Sequence, residues 1–404
     1  MDGFVWIVFV IVYLGMILGR IPGLALDRTG VALLGAIVLM VGARVGTHEL
    51  GIAVDEATMV LLFGLMILSA QFRLSGFYSY LVRRVGTIQC SPQAFLALVV
   101  GLTALLSAVL VNDVVCLAMT PVLIEVCVRR SLDPKPYLLG LACAANVGSM
   151  ATLIGNPQNM LIGQVLHLSF SRYLMQAIVP TILGLVIVWA IICLLTAGRW
   201  RADMRAVPIT MLSFDRWQTI KGLLILGSVI AAYLVSPWPR EIVALLAAGW
   251  VLCSRRMRSQ EMLGLVDWPL LVLFFGLFVV NFAMQTSGNL AQMTGAVTFA
   301  GVNLEHPGWL FGATVILSNL VSNVPAVMLL LPSATHPISG PVLALASTLS
   351  GNLFIVGSIA NIIVVDQAAK MGIRITWKEH ARVGVPVTMA TLLVAGLWLW
   401  MIAR

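Results

Sequence analysis

The sequence predicts an all-α polytopic membrane protein built from two inverted-topology repeats, each of about five transmembrane helices plus one re-entrant hairpin. Three observations lead there: an apolar composition, apolar runs long enough to cross a bilayer, and an internal sequence repeat.

Sixty per cent of the 404 residues are apolar and only 10% are charged, and the mean hydropathy is +1.02. A soluble core could not hide so much apolar surface, so the bilayer must take up the surplus. The net charge of +8 does not point to nucleic acid. The basic residues sit in short groups between apolar runs, with no basic stripe interleaved with aromatics. The start, Met1-Asp2-Gly3, is acidic, so residues 4–18 are expected as a retained first helix and not as a cleaved signal peptide. The six cysteines, Cys90, Cys116, Cys127, Cys143, Cys193 and Cys253, show no CxxC pairing and are read as small apolar side chains.

Apolar runs occupy 4–19, 30–46 and 57–70, then 93–111 and 114–128, which only Asn112-Asp113 separates. An apolar but interrupted run, 137–168, precedes 173–196. The second half repeats this order with 218–235, 240–253 and 267–284, a broken pair at 308–322 and 324–331, an interrupted run at 341–366, and a last span at 383–402. Eight residues, 324–331, make about 12 Å of helix against about 30 Å of hydrocarbon. That run cannot cross, so a re-entrant hairpin with its tip at Ser322-Asn323 is expected, and Asn112-Asp113 becomes the tip of a first hairpin by analogy. The domain plan is a first repeat, 1–200, with hairpin 93–128 and broken helix 137–168. A cytoplasmic linker, 201–217, leads to a second repeat, 218–404, with hairpin 308–331 and broken helix 341–366.

This arrangement places 20 lysines and arginines on one side and only Arg44, Arg172, Arg240 and Arg404 on the other. The rich side is assigned to the cytoplasm, which puts both termini outside it. The localisation expected is a bacterial cytoplasmic (inner) membrane.

The halves also match residue by residue. Leu61-Leu-Phe-Gly-Leu-Met-Ile-Leu68 resembles Leu273-Phe-Phe-Gly-Leu-Phe-Val-Val280. Leu106, Ser107, Asn112 and Pro121 line up with Leu317, Ser318, Asn323 and Pro332, every pair 211 positions apart. Farther on, Gly155 and Asn159 parallel Gly357 and Asn361 as two copies of Gly-x-x-x-Asn, preceded by Asn146 and Asn352. An odd number of spans per half turns the second copy upside down. Inverted repeats with interrupted helices and polar hairpin tips are the pattern of secondary transporters that work by alternating access.

Three segments carry a family resemblance: Asn146-Val-Gly-Ser-Met-Ala-Thr-Leu-Ile-Gly-Asn-Pro-Gln-Asn159, Ser322-Asn-Val-Pro-Ala326 and Gly351-Asn-Leu-Phe-Ile-Val-Gly-Ser-Ile-Ala-Asn361. They resemble the ion transporter superfamily that includes arsenite permeases, NhaD-type sodium/proton antiporters and the divalent-anion and citrate symporters. The resemblance covers nearly the whole chain. It implies that hairpin tips and unwound helix middles enclose substrate and coupling ion, which singles out Asn112, Asp113, Asn146, Gly155, Asn159, Ser322, Asn323, Asn352, Gly357, Ser358 and Asn361. Sodium-coupled dicarboxylate members carry Ser-Asn-Thr at both tips, whereas here the tips read Val111-Asn112-Asp113 and Ser322-Asn323-Val324. An Asn-Asp tip followed by Thr120-Pro121 is more similar to arsenite and related anion permeases.

Asp113 is the most informative residue, because a carboxylate near the bilayer centre is costly unless it binds a cation, takes up a proton or meets water. The alternative is a helix cap for the segment from Val114. Asn146 and Asn352 suit either a binding site or hydrogen-bonding glue between helices. Glu125 and Arg129 are expected to form a structural ion pair, Asp366 to reach water at a helix exit, and His380 to lie on a solvated basic face.

The function expected is secondary active transport of a small anion or arsenite-like oxyacid, coupled to protons or sodium. The alternatives are sodium/proton antiport, with Asn112 and Asp113 as the candidate sodium site, a passive anion channel, and an intramembrane hydrolase. No HExxH, GxGD, GxSxG or P-loop pattern is present. No enzyme, metal or cofactor is therefore expected. The partners expected are a small-molecule or inorganic ion substrate and the lipid bilayer, with a homodimer as the candidate assembly and no nucleic acid.

Overall fold

The structure, a computed structural model, describes residues 2–19, 25–201 and 214–404. In chain order the helices are α1 (Gly3–Leu18), α2 (Arg28–Val41), α3 (Leu50–Ala53), α4 (Glu56–Leu74), α5 (Phe77–Gly86), α6 (Pro92–Val109) and α7 (Asn112–Arg129). They continue with α8 (Pro134–Ser149), α9 (Pro157–Val165), α10 (Phe170–Thr196), α11 (Arg216–Val235), α12 (Arg240–Leu252), α13 (Ser259–Leu263) and α14 (Trp268–Thr286). The last are α15 (Asn289–Phe299), α16 (Pro307–Val321), α17 (Asn323–Leu330), α18 (Ser339–Ser350), α19 (Ile359–Lys370) and α20 (Trp377–Ile402). Most of the expected linker 201–217, and with it Arg205, lies outside the described residues, as does Arg20.

Local chemistry starts these helices where the apolar runs begin. The side chains of Asp27, Asp55, Ser91, Asp133, Asp215, Asp267 and Thr376 accept first-turn N–H groups that would otherwise be unpaired. Proline opens α6, α8, α9, α14 and α16, where its missing N–H costs nothing. Six described helices are long and apolar enough to cross a membrane: α4, α6, α10, α11, α14 and α20. Their outward faces are apolar, as at Leu194, Leu224 and Met401, which suits lipid and not water.

Helix pairing brings distant segments together. Helix α4 packs on α12 and α2 packs on α14, while α6 lies on α8, α16 on α18, α7 on α19 and α10 on α20. The glycine shared by the two matched apolar motifs makes the first two pairings possible. A Cβ on Gly64 would stand 2.8 Å from the backbone carbonyl of Ala244, and one on Gly276 would stand 2.7 Å from that of Ala32. Only a residue without a side chain lets the backbones approach so closely.

The first hairpin turns earlier than the sequence suggests. Asn112 and Asp113 are the opening residues of α7, and the chain reverses in the extended backbone of Leu110 and Val111. Asp113 caps nothing: the residue preceding α7 is Val111, and no side chain accepts there. Asn and Asp nonetheless suit a first turn, where free N–H groups favour negative partial charge. The arms α6 and α7 have 18 residues each, about 27 Å of helix, so length alone does not stop this pair short of a full crossing. In the second hairpin α17 has eight residues, as expected. Here Ser322 alone makes the reversal, at φ 79° and ψ 162°, a region that is strained by about 1–3 kcal/mol for any residue but glycine.

Glu125 takes Arg129 at 2.6 Å and also Arg83 at 3.1 Å, which ties α5 to α7. Asp366 is exposed and pairs with Lys370 at 3.0 Å. His380 overturns the expectation of a solvated face. Helix α20 starts at Trp377, and its fourth residue turns inward, 1% exposed. The six cysteines form no disulfides.

Replacing Gly64 or Gly276 by Ala is expected to destabilise the protein by about 1–3 kcal/mol through overpacking. Gly101→Ala, whose Cβ would meet nothing within 4 Å, should be neutral or mildly stabilising. Thermal unfolding in detergent checks this, and equal midpoints for all three variants would contradict the close backbone contact.

Candidate functional site

The two helix breaks, between α8 and α9 and between α18 and α19, lie against each other and share side chains. Asn146, near the end of α8, is the central node. Its Nδ2 donates to Asn352 Oδ1 at 2.7 Å and to Asn361 Oδ1 at 3.2 Å. Ser358 Oγ donates back to Asn146 Oδ1 at 2.8 Å. A second bridge joins the same segments: Thr348 Oγ1 accepts from Asn156 Nδ2 at 3.3 Å and from Gln158 Nε2 at 3.2 Å. All seven residues are buried, and none carries a charge.

The repeated Gly-x-x-x-Asn has a structural reason. Unwinding a helix frees backbone carbonyls that lipid cannot satisfy. Asn159 Nδ2 donates to the carbonyl of Thr152 at 3.0 Å, and Asn361 Nδ2 donates to that of Phe354 at 3.1 Å, each seven residues upstream. Asn361 also reaches the Gly351 carbonyl at 2.8 Å, and Asn159 reaches Tyr173 Oη at 3.2 Å. The two asparagines therefore staple the breaks, and what remains for a ligand is the unpartnered Oδ1 of Asn159.

Both glycines of the motif sit where a side chain has no room. A Cβ on Gly155 would meet the carbonyls of Ser149 and Ser107, and one on Gly357 would lie 3.0 Å from the Gly351 carbonyl. The Gly155 carbonyl accepts the Asn112 backbone N–H at 3.1 Å, which docks the first hairpin tip onto the first break. At the second tip, Asn323 is buried beside Gly351.

Several oxygens here lack partners. Asn112 Oδ1 and Asn323 Oδ1 are buried and unpartnered, and so are Ser107 Oγ and Ser318 Oγ. Each pair occupies matched positions of the internal repeat. Asp113 is half-buried and has no ion pair or hydrogen bond among the described residues. Ser322 shapes the backbone of the second tip and makes no side-chain hydrogen bond among the described residues. Tips and breaks thus gather the predicted residues into one region, with the Asn146 node at the contact between halves. No group of three or more metal-ligating His, Cys, Asp or Glu side chains occurs among the described residues.

Sequence reading missed Asn156, Gln158, Thr348, Tyr173 and His380 as members of this network. Asn156 and Gln158 lie inside the segment that carries the resemblance and could have been found there. Thr348 gave no local signal, and the charged neighbours of His380 gave a misleading one.

A family comparison decides what kind of protein this is: residues 4–348 match the family described as citrate transporter. The chain belongs to the citrate transporter family. An uncharacterized transporter of Mycobacterium tuberculosis is 30% identical, the match covering 93% of this chain and 94% of that protein. The silicon efflux transporter of rice, Oryza sativa, is 26% identical over 91% of each chain. Among solved structures, the YdaH transporter of Alcanivorax borkumensis superposes with a TM-score of 0.57 at 15% identity, covering 99% of this chain and 97% of that one. At that identity the likeness speaks for the fold alone. Membership of the family makes this citrate transporter relative an integral membrane transporter of small solutes and not an enzyme.

The Asn146–Asn352 bond is open to a double-mutant cycle. Asn146→Ala and Asn352→Ala should each destabilise the protein, and the double variant should cost less than their sum by about 0.6–1.7 kcal/mol. Additive unfolding energies would mean that the bond does not form.

Proposed function

We propose that the protein is a secondary active transporter of a small anion or arsenite-like oxyacid, coupled to protons or sodium and working by alternating access between two inverted halves, 1–200 and 218–404. One observation carries this reading: the uncharged junction centred on Asn146, which joins both helix breaks and lies beside a hairpin tip bearing an unpaired carboxylate, Asp113. Amides and hydroxyls offer dense donors and acceptors without a fixed positive charge. Such a lining suits an oxyacid rich in hydroxyls better than a multiply charged carboxylate, which would require arginine or lysine to neutralise it. The silicon efflux transporter among the relatives fits the same solute class.

The inverted halves draw support from the matched packing of α4 on α12 and α2 on α14, each resting on the glycine of its motif. Two apposed halves with a polar seam are the geometry that rocking motions require. The orientation proposed remains that of the positive-inside count, with both termini outside the cytoplasm of a bacterial inner membrane.

A second reading, sodium/proton antiport, is favoured by the oxygens at the first tip. Among the described residues, Asn112 Oδ1 has no donor and the Asp113 carboxylate has no cation beside it. Oxygen ligands without partners suit a hard cation.

Transport into proteoliposomes under imposed proton and sodium gradients, with a panel of oxyacids and anions, separates the two readings. Asp113→Asn preserves size but removes the charge and the titratable proton. The variant is expected to insert and to exchange substrate downhill while losing gradient-driven uphill transport by about tenfold or more. Uphill transport at the parental rate would remove Asp113 from the coupling site.

A further inference from the structure

His380 is the one imidazole bonded directly to the junction among the described residues. Its Nε2 stands 3.2 Å from the Asn352 carbonyl oxygen, and the Asn352 side chain is held by Asn146. A carbonyl can only accept, so Nε2 carries the hydrogen and Nδ1 of the neutral ring holds the free lone pair. Nδ1 is buried and has no partner. One turn farther along α20, Gly384 lets the helix backbone touch the same Asn352 carbonyl, where a Cβ would collide. Helix α20 is therefore pressed onto the second break at the point where the histidine sits.

Among the described residues, no charge is placed to stabilise an imidazolium here. Helix α18 and the break, residues 351–358, carry no titratable side chain. From α8, Lys135 is held by Glu379 at 2.6 Å, Tyr137 donates to the Pro92 carbonyl, and Cys143 is a buried free thiol. From α10, Tyr173 donates to the Met150 carbonyl, Arg172 is exposed, and Cys193 is half-buried. On α20 itself, Lys378 and Arg382 face outward, and Glu379 is occupied by Lys135.

We propose that His380 is a proton-responsive positioning residue: neutral, it clamps the second break through the Asn352 carbonyl, and a proton taken up at Nδ1 releases that clamp. The proton adds to the free lone pair, and no other bond is made or broken covalently. The Nε2–H bond to the carbonyl outlasts protonation, but the new N–H has no acceptor and the new buried charge has no counter-ion among the described residues, so the protonated ring is stable only in an arrangement that carries it, and the clamp with it, toward water. Protonation thereby shifts the junction away from the closed arrangement. The inference rests on the reading that the junction is the transport site, but its test addresses the break directly and needs no substrate.

The test places a cysteine at buried Ile355, inside the break, in a background lacking the native six, and follows its reaction with a small thiol reagent. His380→Gln keeps a donor near the Nε2 position but cannot titrate, so it mimics the clamped state. His380→Leu removes the donor and mimics release. Normalised to the Gln variant, which corrects for thiol ionisation, labelling of the parent should rise by about threefold or more between about pH 8 and about pH 5.5. The Leu variant should label fast at both values. A ratio of parent to Gln variant that stays constant across this range overturns the proposal, whether or not the Leu variant folds.

Discussion

A broken helix inside a membrane releases backbone N–H and C=O groups that lipid cannot bond, and the protein itself must satisfy them. In this chain the constraint falls twice, at the α8–α9 and α18–α19 breaks, and Asn159 and Asn361 meet it in the same way, each reaching a carbonyl seven residues back. The glycines of the motif follow from the same demand, since the returned chain packs against carbonyls where a Cβ has no room. With the backbone cared for, Asn146 is free to join the two breaks, and the oxygens of Asn112, Asn323, Ser107 and Ser318 stay without a partner among the described residues.

The junction is polar but uncharged apart from what Asp113 and His380 can acquire. A fixed charge in such a place would hold an oppositely charged solute too firmly to release it, and would itself be costly to bury. Amide and hydroxyl partners can be exchanged one for another at small net cost, which is what repeated binding and release require. The two ionisable groups occupy different positions in this scheme. Asp113 lies in the first turn of α7, just past the reversal, without a partner among the described residues. His380 lies behind the second break and acts on it through a backbone carbonyl.

The membrane class, the order of the long apolar helices and the grouping of hairpin tips with helix breaks were legible in the sequence because they depend on local features: apolar runs, short interruptions and repeated spacing. The matched Leu-x-Phe-Gly motifs were visible as a repeat, but their purpose emerges only when Gly64 meets Ala244 and Gly276 meets Ala32, contacts no local pattern encodes. The turn of the first hairpin was misplaced by two residues because Asn-Asp reads as a loop signal, yet those residues serve equally well in a first helical turn. His380 misled for a related reason. Its neighbours Lys378, Glu379 and Arg382 mark a helix start at a basic face, but a helix turns each residue by 100 degrees, and one of the four points inward. Thr348 was silent because its partners, Asn156 and Gln158, lie in the other half of the chain.

The central claim is that the seam between the breaks is exposed to one side of the membrane at a time. The most direct measurement is labelling of a cysteine at Ser358, in oriented vesicles, by a membrane-impermeant thiol reagent added to one face and then to the other. Alternating access predicts that ion and solute conditions raising the rate from one face lower it from the opposite face. Rates that rise together from both faces would describe a continuous pore and contradict the account.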